Sequence, residues 1–485
     1  MTASHVRYHS SLSRRALLTG ATGCALAALL DRSPSAATVE LRDINLSAAP
    51  GRWPIVGNPY APTDVWCYGD RIPGPELRVR QGERVRIVVR NNLPEETTVH
   101  WHGIRLPNAM DGVPNLTQPP IRPGEEFIYE FTPPDAGTFW YHPHADSLQQ
   151  LGRGLAGALI VEEPDAVPVD RELVWVLTDW RLTETAQIAP GFGNGMEAAM
   201  TGRVGNTVTI NGSISKEVPV KAGERIRLRL INSSLARVMA LRFQGHRPVV
   251  VATDGQPCEQ YNADRLLLGP AMRIDLILDM QGEPGRRYRI TDDFYERLSY
   301  WLTEFVYDKS QPSFRRPLDP AKSLPRNQLP DPDLTSAERH DLKLQGGMMG
   351  GGGMMGGGMM GGGGMMGMSG MAHNAVWAIN GKSMIGDGHS DMPPLLTLKL
   401  GRSYLFNINN DTAWWHPIHL HGYSFRVLAR KGSPVPHRQW ADTILMPPRE
   451  TAEVAFVADN PGDWMLHCHV TDHQVSGMMT VLRVA

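Results

Sequence analysis

Apolar residues recur at every second position through much of the chain and long amphipathic helical runs are few, which predicts strands rather than helices. The clearest stretch, Val79-Arg80-Gln81-Gly82-Glu83-Arg84-Val85-Arg86-Ile87-Val88-Val89-Arg90-Asn91, reads as strand, turn at Gly82, strand. It recurs as Val220-Lys221-Ala222-Gly223-Glu224-Arg225-Ile226-Arg227-Leu228-Arg229-Leu230-Ile231-Asn232. A weaker copy is Leu398-Lys399-Leu400-Gly401-Arg402-Ser403-Tyr404-Leu405-Phe406-Asn407-Ile408-Asn409-Asn410. Three consecutive β-domains of one kind, an all-β protein, are the simplest reading.

Fixed offsets from these repeats bring in the chemistry. Nine residues after the closing Asn stands His100-Trp101-His102-Gly103 in the first copy and His419-Leu420-His421-Gly422 in the third, against Leu241-Arg242-Phe243 in the second. Later in each unit, Gly137 is followed at +5 by His142-Pro143-His144 and Gly462 by His467-Cys468-His469, whereas Gly285 leads to Ile290-Thr291-Asp292. In a strand, each His-x-His places both imidazoles on one face. A single pair would be read as surface or satisfied core histidines; four pairs in register, with the middle copy empty, point to eight imidazoles caging metal between the first and third domains. The third domain alone adds His416, Cys468, His473 and Met478, where the first has Thr97, Pro143, Leu148 and Arg153. A thiolate, two imidazoles and a weak axial thioether make a blue-copper electron-transfer site; a zinc site or redox thiol is the blander alternative. If His467 and His469 share one strand face, Cys468 points to the other, so one metal site lies on each side.

Length and charge bound these readings without changing them. At 485 residues the chain exceeds one core, and a formal net charge of -2 with both signs interspersed argues against nucleic acid as a main partner. Residues 1–37 carry Ser13-Arg14-Arg15-Ala16-Leu17-Leu18, an apolar run to Leu30 and Ser35-Ala36-Ala37, which resembles a twin-arginine export signal. Recognition by the twin-arginine machinery, a periplasmic location and a monomeric protein without a stable membrane span are therefore expected, the apolar run being too short to serve as an anchor. Cys24 leaves with this leader; Cys67 and Cys258 either pair or remain buried thiols.

Together, His100-Trp101-His102-Gly103, Tyr141-His142-Pro143-His144, His416-Pro417-Ile418-His419-Leu420-His421-Gly422 and the His467 to Met478 run resemble the four copper motifs of three-domain multicopper oxidases. The resemblance covers nearly all of the mature chain. It implies cupredoxin-like Greek-key β-sandwiches over 38–165, 166–315 (without copper ligands) and 339–485, with a linker at 316–338. It also implies oxidation of a reducing substrate coupled to reduction of O2 to water. Four copper ions are implied: type 1 on His416, Cys468, His473 and Met478; type 2 on His100 and His419; the type 3 pair on His102, His142, His144, His421, His467 and His469. Asp111 and Asp472 match the family's acidic positions near the cluster and are the expected proton donors, although Asp111-Gly112 also reads as a turn and Asp472 as a surface carboxylate. Asp442 is expected to orient a ligand or donate toward His416.

Gly346 to Met371 is an unbroken Gly/Met run apart from Ser369. So much Gly cannot form a fixed core, and a mobile excursion from the third sandwich is expected. Met348, Met349, Met354, Met355, Met359, Met360, Met365 and Met366 offer thioethers suited to Cu(I), with Met384, Asp387 and Met392 as further candidates for a substrate copper. By placement and composition the insert resembles those of bacterial copper-tolerance oxidases, which implies Cu(I) as reductant, although its Gly content and lack of His differ. Laccase-like oxidation of small phenols or aromatic amines is the alternative, and a copper-binding protein without turnover is a third reading. His246, His373, His389 and His437 fall outside the repeat-matched positions and are read as solvent-exposed or satisfied.

Overall fold

The computed structural model describes residues 41–214, 217–310, 319–348, 375–386 and 393–485. The leader, the insert beyond Met348 (Met349, Met354, Met355, Met359, Met360, Met365 and Met366), and Asp387, Met392, His373 and His389 lie outside the described residues.

Each sequence repeat builds the same pairing. Arg84–Asn91 lies parallel to Leu41–Trp53, Arg225–Asn232 to Arg171–Trp180, and Ser403–Asn410 to Glu338–Gly346. The shorter strands before each turn, Gly74–Arg80, Val218–Val220 and Leu396–Leu398, pair instead with Gly157–Glu162, Tyr300–Tyr307 and Met479–Val484. The turn glycines Gly82, Gly223 and Gly401 have φ of 79°, 86° and 78°, so the chain reverses there in the left-handed region that only glycine enters without strain. Each strand-turn-strand repeat thus splits between two sheets: two of four strands in the first unit, and one of six with one of five in the second and third. These are cupredoxin-like β-sandwiches.

Alternation explains the cores. In Arg84–Asn91, Val85, Ile87 and Val89 are fully buried while Arg84 and Arg90 face solvent. In Arg225–Asn232 both faces are covered: Ile226, Leu228 and Leu230 fill the middle core, and Arg227 and Arg229 are buried too. Their guanidiniums share Asp275 with Thr138 of the first unit, at 2.8 Å and 3.0 Å from the Asp275 carboxylate, and Arg227 also reaches Glu163 at 2.7 Å. Charge on that face is affordable only because each guanidinium finds a carboxylate. One apolar cluster, by contrast, runs through both the first and third sandwiches, from Leu46 and Val85 to Phe456 and Val484, which clamps these two units together.

The histidine motifs fall on paired strands at that junction. His100–His102 lies antiparallel to Gly137–His142, with His100 opposite His142. His416–Leu420 lies antiparallel to Gly462–Cys468, with His419 opposite His467. The equivalent middle strands, Met239–Phe243 and Arg287–Asp292, bury Leu241, Phe243 and Ile290 in an ordinary core. Gly137 itself presses on the middle unit: a Cβ there would collide with the Gly255 carbonyl, a backbone atom that cannot swing aside. Gly137→Ala is expected to cost about 2–3 kcal/mol, seen as a lower denaturation midpoint at unchanged slope.

Cys67 and Cys258 are free thiols, Cys67 buried and Cys258 half-buried, so no disulfide joins them. Among the described residues no helix is long and apolar enough to cross a membrane.

Candidate metal centre

Two buried sites sit back to back on the strand Gly462–Cys468. On one face, Cys468 Sγ lies 3.5 Å from His416 Nδ1 and 3.6 Å from His473 Nδ1, and the two nitrogens are 3.1 Å apart. The middle of such a triangle lies about 2 Å from each corner, the reach of a bond from imidazole or thiolate to a late transition metal. The tautomers are set by the outer nitrogens. His473 Nε2 lies 2.8 Å from the Met200 carbonyl, which only accepts, so the ring carries its proton there and leaves Nδ1 bare. The Thr412 hydroxyl donates to Asn410 Oδ1 at 2.7 Å and therefore accepts from His416 Nε2 at 2.8 Å, baring that Nδ1 as well. Burial holds both rings far below the usual histidine range, His473 at about 3, so both are neutral ligands-in-waiting. Burial also pushes the Cys468 thiol well up, which disfavours a free redox thiolate and leaves a bound cation as the means of removing its proton. Met478 is fully buried in the same apolar cluster as Cys468, and its carbonyl accepts from the Cys468 N–H at 2.9 Å.

On the other face, eight histidines converge from the two outer units. His102, His142 and His469 form one group with ligand atoms within 4.8 Å of one another, His144, His421 and His467 a second, and His100, His102 and His419 a third. Again one nitrogen of most rings is tied: His100 Nδ1 to the Asp111 carbonyl (2.7 Å), His142 Nδ1 to the Pro143 carbonyl (2.9 Å), and His419 Nδ1 to the Asp442 carbonyl (2.9 Å). The partner nitrogens, His100 Nε2, His142 Nε2 and His419 Nε2, are buried with nothing to bond, as are both nitrogens of His144 and His469. His102 is reversed, with Nε2 3.1 Å from the Asp442 carboxylate and Nδ1 orphaned. His421 Nδ1 gives its proton to Asp111 and His467 Nδ1 to the Cys468 carbonyl, which leaves two bare Nε2 atoms facing each other at 3.0 Å. Lone pairs at that distance repel unless a cation lies between them. Burial and mutual repulsion keep His102, His142, His144, His421, His467 and His469 well below their usual range. Neutral, orphaned imidazoles in a closed cage suit copper, and the thiolate on the opposite face suits it better than zinc.

Three models of multicopper oxidase domains match this chain, over residues 53–166, 171–299 and 366–485. The multicopper oxidase MmcO of Mycobacterium tuberculosis is 31% identical over 452 residues, covering 86% of this chain and 82% of that protein. This chain belongs to the multicopper oxidase family. The crystal structure of a multi-copper oxidase from Pseudomonas thermotolerans superposes with a TM-score of 0.79 at 36% identity, over 92% of this chain and all of that one. A multicopper oxidase from Campylobacter jejuni, described as a metallo-oxidase, gives 0.75 at 27% identity over 93% of each chain. As a multicopper oxidase, the protein is an oxidoreductase that uses copper and O2.

Several acidic and methionine candidates settle differently from expectation. Asp111 does meet the cluster, accepting from His421 Nδ1 at 2.8 Å through its carboxylate and from His100 through its carbonyl. The turn reading and the site reading are both correct: a Cβ on Gly112 would collide with the Val99 carbonyl, so the glycine lets this turn lie directly on the strand of His100. Asp472 is buried but joins none of these groups; its Oδ2 accepts from Arg203 N–H at 2.7 Å. The chain turns helical at Thr471–Val475, so consecutive residues Asp472 and His473 diverge by about 100° and the carboxyl faces the middle unit. Burial raises it to about 6, and its Oδ1 has no partner. Asp442 serves His419 and His102 instead of His416, because His419 pairs with Thr443 whereas His416 lies opposite Met446. Met384 is buried with Val113, Met465, Met479 and Val481 and so is no surface ligand; its strand Met384–Ile385 pairs with Ser476–Gly477, which faces it inward. Met348 is exposed. Of the remaining histidines, His246 Nε2 meets the Tyr307 hydroxyl at 2.6 Å and His437 stacks on Tyr261, both satisfied roles.

Other contributors left no trace in the motifs. Trp377 packs on His473 and His416, with ring centroids 4.4 and 4.9 Å apart, and Trp140 stacks on His142 at 4.2 Å. Met200, Arg273 and Asp254 come from the ligand-free middle unit, where no histidine spacing drew attention to them.

Proposed function

We propose that this multicopper oxidase holds four coppers and uses them to oxidise Cu(I), with O2 as acceptor, in the periplasm as part of copper tolerance. The ligand assignment is type 1 on His416, Cys468, His473 and Met478, type 2 on His100 and His419, and type 3 on His102, His142 and His469 and on His144, His421 and His467. Copper bound there supplies one-electron acceptance at the Cys468 site and delivery of four electrons to O2, which leaves as water. The chain's part is a short path and a dry enclosure. Cys468 joins His467 and His469 through adjacent peptide units, and the His467 Nδ1–H donation to the Cys468 carbonyl at 3.0 Å adds a second link. Asp111 orients His421 and His100 from inside the enclosure.

The observation that carries Cu(I) as substrate is where the Met/Gly-rich segment is anchored. Its two flanks meet over the Cys468 site: Gly347 N–H donates to the Val376 carbonyl at 3.1 Å, Met348 N–H to the Ala199 carbonyl at 2.8 Å, and Trp414 Nε1–H to the Met348 carbonyl at 2.9 Å. Trp377, one residue further, covers both His416 and His473. A run of thioethers tethered at that point can deliver a soft cation beside the electron-accepting site. Replacing residues 349–371 with a short Gly/Ser loop is expected to lower kcat/KM for Cu(I) about tenfold, the loss of one weak capture step, while that for a phenol holds or rises. O2 uptake with each donor measures it, and equal effects on both donors would remove Cu(I) capture from the account.

An aromatic reductant is favoured by a different feature. A cavity of about 270 Å³ beside the same site is lined by Phe294, Tyr295, Trp414, Trp415, Thr201 and Val470. Such walls suit a flat apolar donor. Under that reading, Phe294→Ala raises KM for the phenol and leaves Cu(I) turnover alone. Export rests on the Arg14-Arg15 leader and is tested by fractionating cells that carry Arg14→Lys together with Arg15→Lys; cytoplasmic retention is expected.

A further inference from the structure

The middle unit supplies no metal ligand, yet one of its side chains ends beside the histidine cluster. Arg273 is fully buried; its Nη1 donates to Asp442 Oδ1 at 2.8 Å, and its Nη2 to Asp442 Oδ2. Its Nε donates to the Thr138 carbonyl of the first unit at 3.2 Å, and its own N–H to Asp254 Oδ1 at 2.9 Å. Asp254 Oδ2 in turn accepts from the N–H groups of Asp442 and Thr443, at 3.3 and 3.1 Å. The guanidinium therefore crosses from the second unit to the third and touches the first. Gly103, which closes the first His-x-His motif, makes room: a Cβ there would collide with Arg273 Nη2 and Asp442 Oδ2.

What this fork holds is a single carboxylate shared by two histidines of different groups. Asp442 Oδ1 lies 3.1 Å from His102 Nε2 and 3.3 Å from His419 Nδ1, and the nitrogens facing into the cluster, His102 Nδ1 and His419 Nε2, are the orphaned ones. We propose that Arg273 is a positioning residue through which the ligand-free middle domain fixes the aim of His419 and His102, with Asp254 anchoring the backbone on either side of the contact. A bidentate guanidinium fixes a carboxylate in plane and angle as well as in charge, which an ammonium cannot do. Without it, Asp442 keeps its place in the chain but loses the fork that orients its oxygens, and the two rings lose their common acceptor. The middle domain is then more than a spacer: it is the third wall of the cage.

This inference rests on the ligand assignment proposed above, which copper content and the type 2 EPR signal of the unaltered full-length protein test on their own. The experiment compares copper-loaded Arg273→Met and Arg273→Lys by blue absorption, copper per chain, type 2 EPR and O2 consumption. Arg273→Met is expected to keep the blue band, to lose or distort the type 2 signal, and to reduce O2 about tenfold more slowly, the scale of losing an outer partner of a metal ligand. Arg273→Lys is expected to recover copper content but to retain altered type 2 hyperfine parameters. If Arg273→Met yields no blue protein, Arg273→Lys decides alone. A type 2 spectrum indistinguishable from that of the parent in the variant that decides overturns the proposal, as does parallel loss of the blue and type 2 signals in both variants, which would mark a general role in folding.

Discussion

Cys468→Ser is expected to be colourless and to consume O2 at least about a thousandfold more slowly with every donor, a barrier increase of roughly 4 kcal/mol. The reasoning is local. The two imidazoles aimed at Cys468 are neutral, with their bare nitrogens 3.1 Å apart, so the sulfur is the one anionic and polarisable corner of the site. A serine hydroxyl is nearly the same size, so the packing of the strand Gly462–Cys468 and its pairing with His416–Leu420 survive. It is, however, a hard donor whose proton is not readily given up, and it offers no thiolate-to-metal absorption. His467 and His469 belong to the opposite face and keep their tied and bare nitrogens, so copper content should fall by the type 1 ion alone. Metal analysis and optical spectra check this directly. A variant that stays blue, or that turns over at the parental rate, would mean that Cys468 is not where electrons enter.

The histidine groups were legible in the sequence for a physical reason. Period-two alternation and a repeated turn glycine fix which residues share a face, and the offsets from those landmarks carry no dependence on distant contacts. That is why His100, His142, His419 and His467 fall on paired strands as the repeats imply. What alternation does not encode is the surface that covers the second face of a strand. Arg227 and Arg229 read as solvent-facing by period, but the first unit seals them over Asp275 and Thr138. The same blindness hid Arg273 and Met200, whose importance comes from the fold bringing the middle unit against the other two. It also misplaced Met384, whose neighbours in sequence suggested an exposed ligand while a two-residue strand pairs it into the core. Local conformation accounts for the remaining difference: extending the strand spacing of His467 and His469 past residue 470 ignores the helical turn that carries His473 to Cys468 and swings Asp472 off toward Arg203.

That turn separates two carboxylates that the sequence placed in the same role, and it sets the second large effect. Asp111→Ala is expected to slow reoxidation by O2 roughly 10- to 100-fold while reduction of the blue site by the donor keeps its rate. The substitution leaves His421 Nδ1–H buried without an acceptor, at a cost of about 1–3 kcal/mol, and frees the ring to turn its bare Nε2 from the gap it shares with His467. His100 is spared in part, because its acceptor is the backbone carbonyl of residue 111, which alanine keeps. Asp472→Asn, by contrast, retains an oxygen for the Arg203 N–H and touches no member of the histidine groups, so the O2 step should change by no more than about twofold. Stopped-flow mixing of the reduced protein with O2, followed at the blue band, compares the two variants on one scale. The reverse order, with Asp472→Asn slow and Asp111→Ala fast, would return Asp472 to the cluster's proton supply and require a route from it to the histidines through water that bridges the Arg203 side of the turn.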